Sequence, residues 1–179
     1  MKKQILVLFL LVSISFSSCS SLDKLTQFSV DYSTNFIIPA TLGINLPFNI
    51  PTPNIKTNFS EKLENNQTDK ELIEQLFLKK LLLSIKKPNN KSFRFLKDID
   101  LYLKTNNLPL IKVAYKHNIQ NTIGGTLELD IVKDLDLQEY VKEDEFTITT
   151  EITIDEITLE EIEIKADLTF WVDAEILGI

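Results

Sequence analysis

Two stretches near the C-terminus alternate apolar and polar residues almost without a break. Phe146, Ile148, Thr150, Ile152 and Ile154 share one phase, and Ile162, Ile164, Ala166, Leu168, Phe170, Val172 and Ala174 share another. Acids, Lys165, Thr169 and Trp171 occupy the opposite phase of the second stretch. A period of two sends successive side chains to opposite faces of a strand, so each stretch can bury one face and wet the other. The two are predicted to pair as a long hairpin that bends at 155–161.

The same pattern recurs upstream. Phe28, Val30, Tyr32, Thr34, Phe36 and Ile38 alternate up to Pro39, and Ile99, Leu101 and Leu103 alternate with Asp100, Tyr102 and Lys104. Residues 110–117 and 126–131 read as two further strands, the second with Leu127, Leu129 and Ile131 on one face. Leu42, Ile44, Leu46, Phe48 and Ile50 also alternate, but Pro47, Pro51 and Pro53 remove amide donors from that stretch. Such a segment belongs at a sheet edge or crosses its end.

Helix signals are short. Thr68-Asp69-Lys70-Glu71 has the form of a capping box and precedes Leu72, Ile73, Leu76 and Phe77 at helical spacing. A brief helix is therefore expected there, giving way to a strand through Leu81, Leu83 and Ile85, with one helix over 69–84 as the competing reading. Residues 92–96 are expected to form one helical turn that buries Phe93 and Phe95. Leu135, Leu137, Tyr140 and Val141 suggest a second short helix under the sheet. Residues 54–67 are polar and read as a surface connection.

These elements predict a mainly β fold, a single two-layer antiparallel β-sandwich of about seven to eight strands with one or two short helices. The strand pattern loosely resembles the immunoglobulin-like sandwich of late-embryogenesis-abundant type 2 proteins, a likeness of pattern without a shared motif.

The N-terminus carries a different message. Lys2 and Lys3 precede an apolar run from Ile5 to Val12, the layout of a secretory signal peptide. The run is shorter than the roughly 20 apolar residues that a membrane-spanning helix needs. It ends at Phe16-Ser17-Ser18-Cys19, which contains the sole cysteine of the 179-residue chain. That segment resembles the lipobox of bacterial lipoproteins, departing from it in having phenylalanine where leucine is commonest. The resemblance implies cleavage after residue 18, a diacylglycerol on the Cys19 thiol and acylation of the new amino group. Residues 1–18 are then a cleaved signal peptide, 19–27 a lipidated tether and 28–179 the β-sandwich domain. It further implies a cell-envelope location on the outer membrane, with the periplasmic side favoured over the cell surface as the alternative, since Ser20, Ser21, Leu22, Asp23 and Lys24 lack the acidic run that directs some lipoproteins to the surface. The membrane is then a partner through lipidated Cys19, and two or three acyl chains suffice to hold the domain there.

A formal net charge of −7 argues against nucleic acid as a partner, because phosphate binding needs clustered cations. Catalytic triads require a histidine, and the sole one, His117, sits at a predicted turn with no nucleophile elbow in the chain. One histidine and a lipidated cysteine supply no zinc site. Asp130, Asp134 and Asp136 offer oxygen ligands to calcium but lack EF-hand spacing. Glu161, Glu163, Asp167, Asp173 and Glu175 share the outward phase of the last strand and read as a solvated face. Gly124-Gly125 reads as a turn or bulge. No cofactor and no catalytic or metal residues are expected.

Trp171 stands out, a large aromatic on a polar phase, either covering a sheet edge or anchoring a protein or carbohydrate partner. The expected function is a lipid-anchored, non-catalytic binding or structural module. The alternative is a carrier for an apolar ligand such as lipid, with a cavity lined by Leu42, Ile44, Leu46, Phe48 and Ile50; a carbohydrate-active enzyme is a third reading.

Overall fold

The computed structural model describes residues 26–40, 45–51, 55–56, 59–120, 123–143 and 145–175. Their strands are β1 (Gln27–Ile38), β2 (Pro47–Pro51), β3 (Ile55–Lys56), β4 (Ile73–Lys87), β5 (Leu96–Lys104), β6 (Ile111–Lys116), β7 (Thr126–Glu128), β8 (Asp130–Ile131), β9 (Glu145–Ile154) and β10 (Ile162–Ala174). Two short helices join them, α1 (Phe59–Glu64) and α2 (Gln138–Lys142), with single 3-10 turns at Lys70–Leu72 and Phe93–Phe95.

The strands make two antiparallel sheets. The first runs β1-β10-β4-β7, and the second runs β2-β9-β5-β6-β8 with β3 continuing the β2 edge along β9. The expected sandwich is what forms. Its interior takes one phase from each strand: Val30, Phe36 and Ile38 from β1, Ile164, Leu168 and Phe170 from β10, and Ile148, Ile152 and Ile154 from β9, all at most 3% exposed. Pro39 follows the last residue of β1, and proline-flanked β2 lies at a sheet edge, as its missing amide donors require.

The predicted hairpin does not form. β9 pairs with β2 and β5 in the second sheet, whereas β10 pairs with β1 and β4 in the first. The link crosses the end of the sandwich, where Asp155 donates its amide to the Phe95 carbonyl and Thr158 reaches the Pro39 carbonyl. Both strands bury one phase, β9 with Thr150 as its polar member, and they face each other across the core instead of sitting side by side.

The helix expected after Thr68 is also absent. Only a 3-10 turn forms, capped by Asp69, whose carboxylate accepts from the Glu71 amide at 2.9 Å, while the buried Thr68 hydroxyl donates to the Glu175 carbonyl. β4 then runs fifteen residues. Its buried positions are Ile73, Leu76, Leu78, Leu81 and Leu83. Bulges opposite Asp173/Ala174 and Thr169/Phe170 each insert one residue, and the resulting spacing mimics a helix.

Residues 59–64 of the expected surface connection form α1 instead, with Phe59 and Leu63 fully buried. The expected turn at Phe93 and Phe95 and the expected helix at Tyr140 and Val141 both form, and all four side chains are buried. Gly124 and Gly125 sit at a turn, accepting from the Phe93 and Ile85 amides.

One further crossing positions the site described next. Residues 126–131 read as one strand but serve two sheets: β7 pairs with β4, and β8 pairs with β6. Such a change of sheet makes a corner of the sandwich.

Candidate functional site

The corner opens a groove. Leu129 still donates to the Leu81 carbonyl at 3.0 Å, and the chain returns to β4 where Asp136 bridges Phe77 and Leu137 donates to the Leu76 carbonyl at 2.7 Å. Between those two attachments it swings toward the second sheet, where Val132 donates to the Val113 carbonyl at 3.0 Å. The detour leaves a concavity of about 510 Å³ beside β4 and β10, backed by Leu78, Ile131 and Val132. That volume falls within the usual range for ligand pockets, roughly 300–1,000 Å³.

Its aromatic wall is a cross-strand pair. Phe77 and Trp171 are register partners on β4 and β10, with ring centroids 5.7 Å apart and planes 27° apart. Both lie on the outer face, opposite Leu76, Leu78, Phe170 and Val172 of the core. Trp171 is thus half-buried beside the open groove and packs against Phe77.

Charge at the rim is mixed. Lys79 is the residue that the bulge adds to β4, Lys133 lies on the detour, and Asp134 follows it with a φ of 55°, a left-handed turn position. Neither lysine makes an ion pair among the described residues. Lys80 pairs with Glu128, Lys87 with Glu163 and Lys116 with Asp130, while Lys86, Lys91 and Lys104, like the two rim lysines, make no ion pair among the described residues.

The remaining sequence candidates do not converge on this groove. Asp130 is held by Lys116, and Asp136 accepts from the Leu76 and Gln138 amides at 3.1 and 3.0 Å. Asp134 alone of that trio reaches the groove. The outward acids of β10 form a hydrogen-bonded surface: Asp167 accepts from Ser33 and pairs with Lys165, and Asp173 accepts from Thr26 and Gln27. His117 is exposed, 3.1 Å from Asp100, which also pairs with Lys112 at 2.9 Å. That hydrogen bond raises the Lys112 pKa above its ordinary value.

Of the proposed apolar lining, Leu42 and Ile44 lie outside the described residues, as does Cys19. Leu46 is 67% exposed, Phe48 is half-buried against the core, and Ile50 is inside it. No helix among the described residues is long and apolar enough to cross a membrane.

Sequence reasoning singled out Trp171 and missed Phe77, Lys79 and Lys133. The available signal was Phe77 itself, an aromatic between Leu76 and Leu78 and therefore out of phase with the core once that stretch is read as a strand.

No protein family matches the sequence, and neither does any curated protein. Among solved structures, one of Desmodium yellow mottle tymovirus aligns over 86% of this chain and 91% of its own, with 7% identity and a TM-score of 0.27. A structure of the empty head of turnip yellow mosaic virus aligns over 84% and 83%, with 7% identity and a TM-score of 0.24. Scores this low do not indicate a shared fold.

Proposed function

We propose that this chain is a lipid-anchored, non-catalytic binding module of the bacterial cell envelope, held at the outer membrane through acylated Cys19 and engaging its ligand at the Phe77–Trp171 groove. The observation that carries the binding reading is the aromatic pair itself: two large rings on the solvent side of a sheet, beside a concavity that the chain makes by leaving that sheet. Apolar walls with a few polar groups at the rim are the usual make-up of a small-molecule site. The lipobox-like segment supports the tether, and Thr26, just before β1, leaves a short link between Cys19 and the sandwich.

Two experiments test the two halves. Labelled palmitate should enter the wild-type protein and be lost in Cys19→Ala, with that variant released to the soluble fraction; unchanged labelling and fractionation would overturn the tether. With Cys19 acylated, Lys80→Cys provides the sole free thiol, at an exposed position two register steps from Trp171 on the same sheet face. Maleimide should label it more slowly in intact envelopes than in the purified protein. Equal rates would remove the groove as a binding site.

A further inference from the structure

The rim of the groove narrows the class of ligand. We infer that the groove binds an acidic oligosaccharide, a sugar chain bearing carboxylates, and this rests on the groove being the binding site at all. Three features at one place support it.

The first is the stacked pair Phe77 and Trp171. Two rings stacked on each other present their outer faces and edges as an apolar surface of low conformational entropy, suited to the C–H face of a pyranose. The second is charge. The chain carries 26 acidic against 19 basic residues, yet Lys79 and Lys133 stand at the rim without an ion-pair partner among the described residues. Two ammonium groups without an ion-pair partner, against the single carboxylate of Asp134 in the same lining, favour an anion at that spot. The third is Asp134, which lines the same groove and whose carboxylate can accept hydrogen bonds from hydroxyls. A neutral apolar ligand would leave all three charges unused, and a simple anion would leave the rings unused. A carboxylated sugar uses each of them: ring face on the aromatics, carboxylate on the lysines, hydroxyls on Asp134.

The volume of about 510 Å³ suits a short segment and not a single small ion. Binding through two rim lysines is screened by salt.

Trp171 is the sole tryptophan, so its fluorescence reports on the groove alone. The experiment titrates the full lipidated protein, in detergent micelles, with oligogalacturonate and with a neutral galacto-oligosaccharide of the same length. Oligogalacturonate should change the Trp171 emission with an affinity at least ~10-fold above the neutral sugar, the preference shrinking as salt rises. The Lys79→Gln/Lys133→Gln double variant, at two exposed positions, should keep its melting temperature and lose that preference. Equal affinity for both sugars, or a preference untouched by the double variant, would overturn the assignment of charge. No response to either sugar would overturn the saccharide class, while protection of Lys80→Cys in envelopes would still uphold the groove as a binding site.

Discussion

Tyr32 and Phe59 stack nearly parallel, with ring centroids 5.6 Å apart and planes 11° apart. Phe170 meets both edge-on, at 6.0 and 6.4 Å. This three-ring cluster fastens α1 to the inner face of the first sheet, and Lys62 of the same helix lies over the Tyr32 ring and donates to the Asp31 carbonyl. Phe59→Ala should cost about 3–5 kcal/mol in urea unfolding, because the ring is fully buried and its cavity cannot collapse between two sheets. A cost under about 1 kcal/mol would mean that α1 contributes little to the core.

The Tyr32 hydroxyl is buried and finds no hydrogen-bond partner among the described residues. Burial pushes its phenol well above the usual tyrosine range. Tyr32→Phe should therefore leave stability unchanged or raise it by about 1 kcal/mol. The pH dependence has a definite sign. Above about pH 10 the unfolded phenol ionises while the folded one keeps its proton, so stability falls as pH rises, and the phenylalanine variant should lose that part of the alkaline decline.

Thr150 interrupts the apolar row of β9 between Ile50 and Leu101, is fully buried, and also leaves its hydroxyl without a partner among the described residues. Thr150→Val keeps the shape and removes the buried polar atom. A gain of about 1 kcal/mol in thermal or urea unfolding is expected; a loss would indicate that the hydroxyl is satisfied.

The Asp167 carboxylate pairs with Lys165 at 2.6 Å and accepts from Ser33 at 2.5 Å, and these contacts hold its pKa below the ordinary value. With the folded pKa depressed, the stabilisation is present above the unfolded carboxylate value and is lost as pH falls through the folded one. The group is well exposed, so the effect on global stability is small. An NMR titration should place its midpoint below that of a free aspartate, and Lys165→Ala should move it upward.

Acrylamide should quench Trp171 readily, since the indole is half-buried beside the groove. Phe77→Ala, which removes the ring stacked on it, should increase quenching further while leaving the core side chains in place. Quenching as slight as that of a core tryptophan would close the groove as a site.

Period-two alternation made the architecture legible: β1, β5, β9 and β10 all lie where their phases predict, with the predicted faces inward. What alternation cannot encode is partnership. A largely apolar phase marks Ile148 and Phe170 equally as core, and nothing local says that one sheet holds the first and the other sheet the second. Bulges hid β4 by changing its spacing, and with it Phe77, so that only one ring of the aromatic pair was visible. Lys79 and Lys133 were illegible for another reason: their nearness depends on the detour between Leu129 and Asp136, a relation of three dimensions.

The placement of β1 against β10 has a consequence for how the chain acquires its shape. Among the described residues, the first strand pairs along its whole length with the last, Gln27 opposite Asp173 and Ile38 opposite Ile162. Contacts so distant along the polypeptide make assembly slow, and the first sheet has no completed form until its final member has been supplied. A nascent molecule built this way can close that sheet only after β10 has been synthesised, so the two ends of the described chain must meet last.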